Sequence, residues 1–181
     1  LGDVYKRQTE GTEIMTLEET AVEKLLAKGY TVTTAESCTG GLIAATLINV
    51  SGVSEIYREG YITYANESKE KLLGVKGETL RNYGAVSEQT AYEMAAGAAK
   101  NAGADAALVS TGIAGPSGGT KEKPVGLVYL GCCLRGRITV RREIFHGDRE
   151  SIRRQAVTAA LKLLIAILSE EPDSQVQEGL I

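Results

Sequence analysis

Tryptophan is absent from this 181-residue chain and phenylalanine occurs once, although tyrosine occurs eight times. So few flat rings leave no stacking platform of the kind a single-strand nucleic-acid binder needs. A basic surplus is missing as well. Lys and Arg total 20 against 23 Asp and Glu, and the net charge of -3 cannot neutralise a phosphate backbone. No nucleic-acid partner is expected, although a local basic site for one small anion stays open. Histidine occurs once, at His146, and Cys38, Cys132 and Cys133 lack metal-ligand spacing, so no metal or other cofactor is expected. Adjacent Cys132 and Cys133 would point to opposite faces of a strand, which argues against a bridge between them. Reduced thiols and a cytoplasmic location follow as expectations. The start has no secretory pattern, and no apolar run approaches the roughly 20 residues that span a bilayer. No membrane partner is expected.

What remains is the composition of one ordinary domain, 43% hydrophobic and 24% charged. The opening residues resemble translated sequencing-adaptor sequence. Residues 1–15 are therefore expected to be an irregular, non-native extension, with Met15 a candidate start. Thr16 followed by Glu19 reads as a capping box opening a helix that Gly29 stops. A strand from Tyr30 to Ala35 runs into Glu36-Ser37-Cys38-Thr39-Gly40-Gly41 and then a helix from Leu42 to Val50. Ile56 to Tyr64 reads as a strand, followed by a helix through Lys69 and Leu73 and a short helix from Gly77 to Tyr83. Ser87 and Glu88 begin an alanine-rich helix, Thr90 to Asn101, whose small face suits close packing, including against a second subunit. Ala106 to Thr111 reads as a buried strand. Val125 to Leu134 and Ile138 to Phe145 form a hairpin, and an amphipathic helix runs from Asp148 to Leu168. The pattern predicts a single three-layer α/β/α domain over residues 16–170. Its sheet is mixed and mostly parallel with one antiparallel hairpin, and a polar tail follows at 171–181.

Three segments are candidates for chemistry. Ser37 sits where a strand ends and a helix begins, the side of an open α/β sheet on which ligands bind. Backbone amides there could hold a phosphate or an oxyanion, and Gly40 and Gly41 would allow close approach. A plain N-cap role for Ser37 or Thr39 is the alternative. Cys38 is a better intrinsic nucleophile than a hydroxyl, but it has no histidine partner and is expected to pack beneath the turn. His146 is expected to be structural or solvent-facing, so a base for Ser37 has to come from a lysine or a carboxylate. Lys69 and Tyr64 follow the next strand; if the two strands are neighbours, both emerge beside Ser37. Otherwise Lys69 is one surface lysine among many. The loop Gly112 to Gly119 is a second anion candidate without a P-loop ending. Arg149, Arg153 and Arg154 begin the last helix, where they could bind a phosphate or simply face solvent.

Taken together, several stretches resemble the C-terminal domain of the competence-damage-inducible CinA proteins, also found alone as nicotinamide-nucleotide amidohydrolase. They are Thr33 to Gly41, Gly60 to Lys69, Gly84 to Glu88, Thr111 to Gly119, Lys123 to Gly126, and Gly147-Asp148-Arg149 followed by Arg153-Arg154-Gln155. Six motifs in order are a specific signal where one would be weak.

The resemblance implies hydrolysis of nicotinamide mononucleotide to nicotinic acid mononucleotide and ammonia, in pyridine-nucleotide salvage and without metal. It implies Ser37 as nucleophile, Lys69 as its base and Tyr64 as an assisting or positioning hydroxyl. Substrate contacts are expected from Thr39, Gly40, Gly41, Thr111, Gly112, Gly115 and Arg153, and a homodimer or larger homo-oligomer is expected. Longer family members add an N-terminal domain resembling molybdopterin-binding proteins, to which nothing of that size corresponds here, so the pyrophosphatase activity of that region is not assigned. Competing readings are a non-catalytic nucleotide-binding module, an amidohydrolase for another small amide, and an assembly module.

Overall fold

Thr16 opens the first helix by a reciprocal exchange. Its hydroxyl accepts from the Glu19 amide at 3.3 Å, and its own amide donates to the Glu19 carboxylate at 2.7 Å. The structure, a computed structural model, describes residues 14–171, so expectations for residues 1–13 and for the tail from Pro172 lie outside the described residues. The elements run α1 (Leu17–Lys28), β1 (Val32–Glu36), α2 (Leu42–Leu47), a single 3₁₀ turn (Val53–Glu55), β2 (Tyr57–Ile62), α3 (Asn66–Leu73), α4 (Gly77–Tyr83), α5 (Glu88–Ala102), β3 (Ala106–Gly112), β4 (Leu127–Leu134), β5 (Arg137–Ile144) and α6 (Arg149–Glu170). Gly29 closes α1 in the left-handed conformation, and Asp148 caps α6 by accepting from the Ser151 amide.

Several boundaries shift by one to three residues from the pattern reading, and two of the shifts have a clear local cause. The α2 helix stops at Leu47 rather than Val50, because the Asn49 and Val50 amides bond three residues back, to Thr46 and Leu47, and tighten the chain into a turn. The β4 strand starts at Leu127 rather than Val125, because Gly126 takes a φ of 93° and leaves the extended region.

The sheet order is β2-β1-β3-β4-β5, with β1 parallel to both neighbours and antiparallel ladders joining β3 to β4 and β4 to β5. Four of the five strands therefore run one way, and the expected hairpin closes through Arg135 and Gly136, both at positive φ. Helices cover both faces. Leu108, Leu130 and Cys132 pack with α1, α2 and α6, while Ala107, Val109 and Cys133 pack with α5 and the ends of α3 and α4. The adjacent cysteines thus point to opposite layers, and all three cysteines are free and buried.

The alanine-rich helix corrects one expectation. Ala91, Ala95 and Ala98 of α5 are fully buried within the chain, against β3 and β4, so this small-residue face is not open to a second subunit. Gly97 lies so close to the Leu73 carbonyl that any side chain there would overlap it. Among the described residues no helix is long and apolar enough to cross a membrane.

The register brings the candidate residues together. Glu36 at the end of β1 stands beside Ile62 of β2 and Ser110 of β3. Parallel pairing sends Ser37 and Thr63-Tyr64 out of the same sheet edge, one strand apart. For the packing itself, Gly97→Ala is expected to cost about 1–3 kcal/mol through overpacking, read from the urea midpoint. An unchanged midpoint would show that the α3–α5 contact can open without penalty.

Candidate active site

Ser37 follows directly on β1, and its amide extends the sheet by one bond to the Ser110 carbonyl at 2.9 Å. Its side chain lies just under the surface, 8% exposed. Lys69, in the first turns of α3, is the largest fully buried side chain of the described residues, only 1% exposed. Its Nζ lies 3.2 Å from Ser37 Oγ, 2.7 Å from the Thr63 carbonyl and 3.4 Å from the Tyr64 carbonyl. No carboxylate is paired with it among the described residues. Burial lowers its pKa from the usual lysine value, and the fields of Cys38 and Glu67 oppose that shift without cancelling it. A neutral amine has two N–H groups and one lone pair. As an ammonium Nζ donates to all three oxygens; in the neutral form the two carbonyls can take the N–H groups and free the lone pair for the serine hydroxyl.

The turn after Ser37 is held from both sides. From inside, Glu36, fully buried, accepts from the Thr39 hydroxyl at 2.6 Å and from the amides of Gly41, Ile43 and Ala44 at 3.1, 2.9 and 2.8 Å. From outside, Arg153 donates to the Cys38 and Thr39 carbonyls at 3.0 and 2.9 Å. Three expectations change as a result. The Thr39 hydroxyl is buried between Glu36 and Ser110 and does not reach a substrate. The Gly41 amide and the start of α2 are occupied by a carboxylate, so they offer nothing to an anion. Two donors of Arg153 brace the turn, leaving only its remaining N–H groups for a ligand. Gly40 is exposed at a φ of 59°, and a side chain there would crowd the Arg153 guanidinium. The amides of Cys38 and Thr39 donate to no oxygen among the described residues.

Cys38 packs beneath the turn as expected, its thiol pushed up to about 11 by burial. That burial outweighs any lowering by the helix end, so Cys38 is a poor nucleophile. His146 is exposed, and its carbonyl accepts from Gln155. The Tyr64 hydroxyl accepts from Arg149 at 3.0 Å and makes no bond to Ser37 or Lys69; the residue serves the lysine through its backbone carbonyl. Arg149 also donates to the Gly115 carbonyl, tying Tyr64 to the glycine loop. In that loop the Thr111 hydroxyl donates to the Ala85 carbonyl. Side chains at Gly112 and Gly119 would meet Val128 and Val125 at 2.7 Å. Those glycines answer to packing within the chain, where ligand approach was expected. A concavity of about 530 Å³ along α6, lined by Phe145, Ser151, Arg154 and Lys162, includes neither Ser37 nor Lys69.

Residues 14–168 match the CinA C-terminal domain family. The chain belongs to that family. It is 57% identical over 145 residues to a CinA-like protein of Kosmotoga olearia, covering 80% of this chain and 35% of that one. Among solved structures, competence damage-inducible protein A from Klebsiella pneumoniae is 38% identical with a TM-score of 0.83, over 86% of this chain and 97% of that one. The competence/damage inducible protein CihA from Agrobacterium tumefaciens is 43% identical with a TM-score of 0.81, over 88% and 100%. The chain spans little more than a third of the length of the curated relatives it matches.

Pattern reading of this CinA domain missed Glu36 and Ser110. A signal was available for the first: an acidic residue ending a wholly buried strand, directly before the serine turn. The carbonyls that receive Lys69 carry no sequence signal, because every residue has one. Lys69 also predicts a pH-dependent stability. The unfolded chain titrates it near 10.4 and the fold lowers that value; between the two the unfolded state binds the extra proton, so stability rises with pH. Below the lowered pKa the cost of burying the ammonium is fully present. The wild type is therefore expected to gain on Lys69→Met in urea midpoint between pH 7 and 10, and a constant difference would contradict the lowered pKa.

Proposed function

We propose that this CinA domain is a cytoplasmic amidohydrolase that converts nicotinamide mononucleotide and water to nicotinic acid mononucleotide and ammonia. The observation carrying this reading is the 3.2 Å approach of a buried Lys69 amine to the Ser37 hydroxyl. A lysine lowered by burial is neutral more often near neutral pH, and only the neutral amine can accept a proton. Lys69 takes the Ser37 proton as Oγ attacks the carboxamide carbon. The oxyanion that forms is met by backbone amides of the turn after Ser37, of which those of Cys38 and Thr39 donate to no oxygen among the described residues. Collapse of the intermediate breaks the C–N bond, and Lys69 returns its proton to the departing nitrogen, so ammonia leaves. Water then attacks the acyl carbon and gives a proton to Lys69, and as the acyl C–O bond breaks Lys69 returns that proton to Ser37 Oγ and the acid leaves. For the substrate's phosphate, Arg149 and Arg153 have donors beyond those that hold Gly115, Tyr64, Cys38 and Thr39.

Ammonia release from nicotinamide mononucleotide tests the proposal. Ser37→Ala and Lys69→Ala are each expected to lower kcat/KM by on the order of 10³-fold or more. Activity surviving in Ser37→Ala would remove the nucleophile. The wild-type kcat/KM should also rise with pH toward a midpoint below the ordinary lysine value of about 10.4. A flat profile between about pH 6 and 9 counts against Lys69 as base.

A further inference from the structure

We propose that Glu36 is a positioning residue for Ser37, using its buried carboxylate to fix the turn that carries the nucleophile and to take up the amides at the start of α2. The inference rests on the reading of Ser37 and Lys69 as a reacting pair. Glu36 is fully buried and has no cationic partner among the described residues. Such a carboxylate is tolerated only where several donors converge on it, and four do. Capping α2 by itself does not need this device, since an Asp, Asn, Ser or Thr at the N-cap satisfies helix amides from the surface. Here the N-cap is Gly41, which has no side chain to give, and the cap comes from the strand five residues earlier.

That origin matters to the site. Ser37, Cys38, Thr39 and Gly40 form a short loop whose two ends, the end of β1 and the start of α2, are joined by one carboxylate. The Thr39 hydroxyl donates to Glu36 and so accepts from the Ser110 hydroxyl at 2.6 Å, which carries the bracing on to β3. Ser110 also receives the Ser37 amide through its carbonyl. With Gly41, Ile43 and Ala44 occupied, the Cys38 and Thr39 amides, the two next to the nucleophile, donate to no oxygen among the described residues, although Thr39 itself is fully buried. The negative charge keeps a substrate anion off the start of α2. Glu36→Gln keeps the size but turns an N–H donor toward one of the donors it should accept from, so the loop loses its single register.

The test uses the full chain and two readouts. One is covalent labelling of Ser37 by a serine-directed fluorophosphonate, which does not depend on the natural substrate; the other is ammonia release, both scaled to folded protein by circular dichroism. Glu36→Gln is expected to lower the labelling rate and kcat together by about 10- to 100-fold, with KM and the pH midpoint unmoved. A purely structural role would lower the folded fraction and leave both rates per folded molecule within about twofold of wild type, and that result overturns the proposal. Should Glu36→Gln fail to fold, Thr39→Val keeps the helix cap and removes only the hydroxyl link. A loss of about 3- to 10-fold in labelling is then expected, and no loss overturns the proposal. If the wild type labels at Ser37 but releases no ammonia from nicotinamide mononucleotide, the substrate reading fails while labelling still decides the role of Glu36. Absence of Lys69-dependent labelling in the wild type overturns both.

Discussion

An amine that is 1% exposed and forms no ion pair among the described residues has to be satisfied by dipoles, and two backbone carbonyls from one short stretch do so. Everything at the site depends on that arrangement. The carbonyls of Thr63 and Tyr64 orient Lys69, burial disfavours its charge, and the remaining direction on the nitrogen is taken by Ser37. A surface lysine at the same place would be protonated and mobile, with no lone pair to offer.

Around the serine the same solution appears with the opposite sign. Glu36 is a buried acid satisfied by amides, as Lys69 is a buried base satisfied by carbonyls, and the two form no ion pair with each other among the described residues. Pairing them directly would favour the charged form of Lys69 and remove its capacity to accept a proton. Backbone partners satisfy each group without that pairing. The fold supplies those partners at low cost, because the chain leaving β2 exposes carbonyls and the start of α2 exposes amides that no ladder or helix bond uses.

The glycine loop and the alanine-rich helix have a different origin. Gly112 and Gly119 lie against Val128 and Val125, and Gly97 lies against the Leu73 carbonyl, so small residues mark places where backbones pass closely within the domain. A glycine-rich stretch is ambiguous in isolation, since close approach of a ligand and close approach of a neighbouring strand require the same absence of a side chain.

Much of the architecture was legible in the residues. The Thr16–Glu19 box, the Gly29 stop, the Asp148 cap and the hairpin at Arg135-Gly136 are local, set by chemistry within a few residues. The two-residue periodicity of β4 put Cys132 and Cys133 on opposite faces before any partner was known. The candidacy of Ser37 and Lys69 was also visible, through a strand-to-helix turn and the order of the motifs. Tertiary structure alone decided which side chains were free to act. Thr39 turned inward to Glu36, Arg153 gripped the turn, the Tyr64 hydroxyl went to Arg149, and the α5 alanines went to the sheet. The reason is that hydrogen bonds and burial are made with whatever strand pairing brings near. Glu36 and Ser110, 74 residues apart in sequence, stand on neighbouring strands, and no local pattern encodes that adjacency.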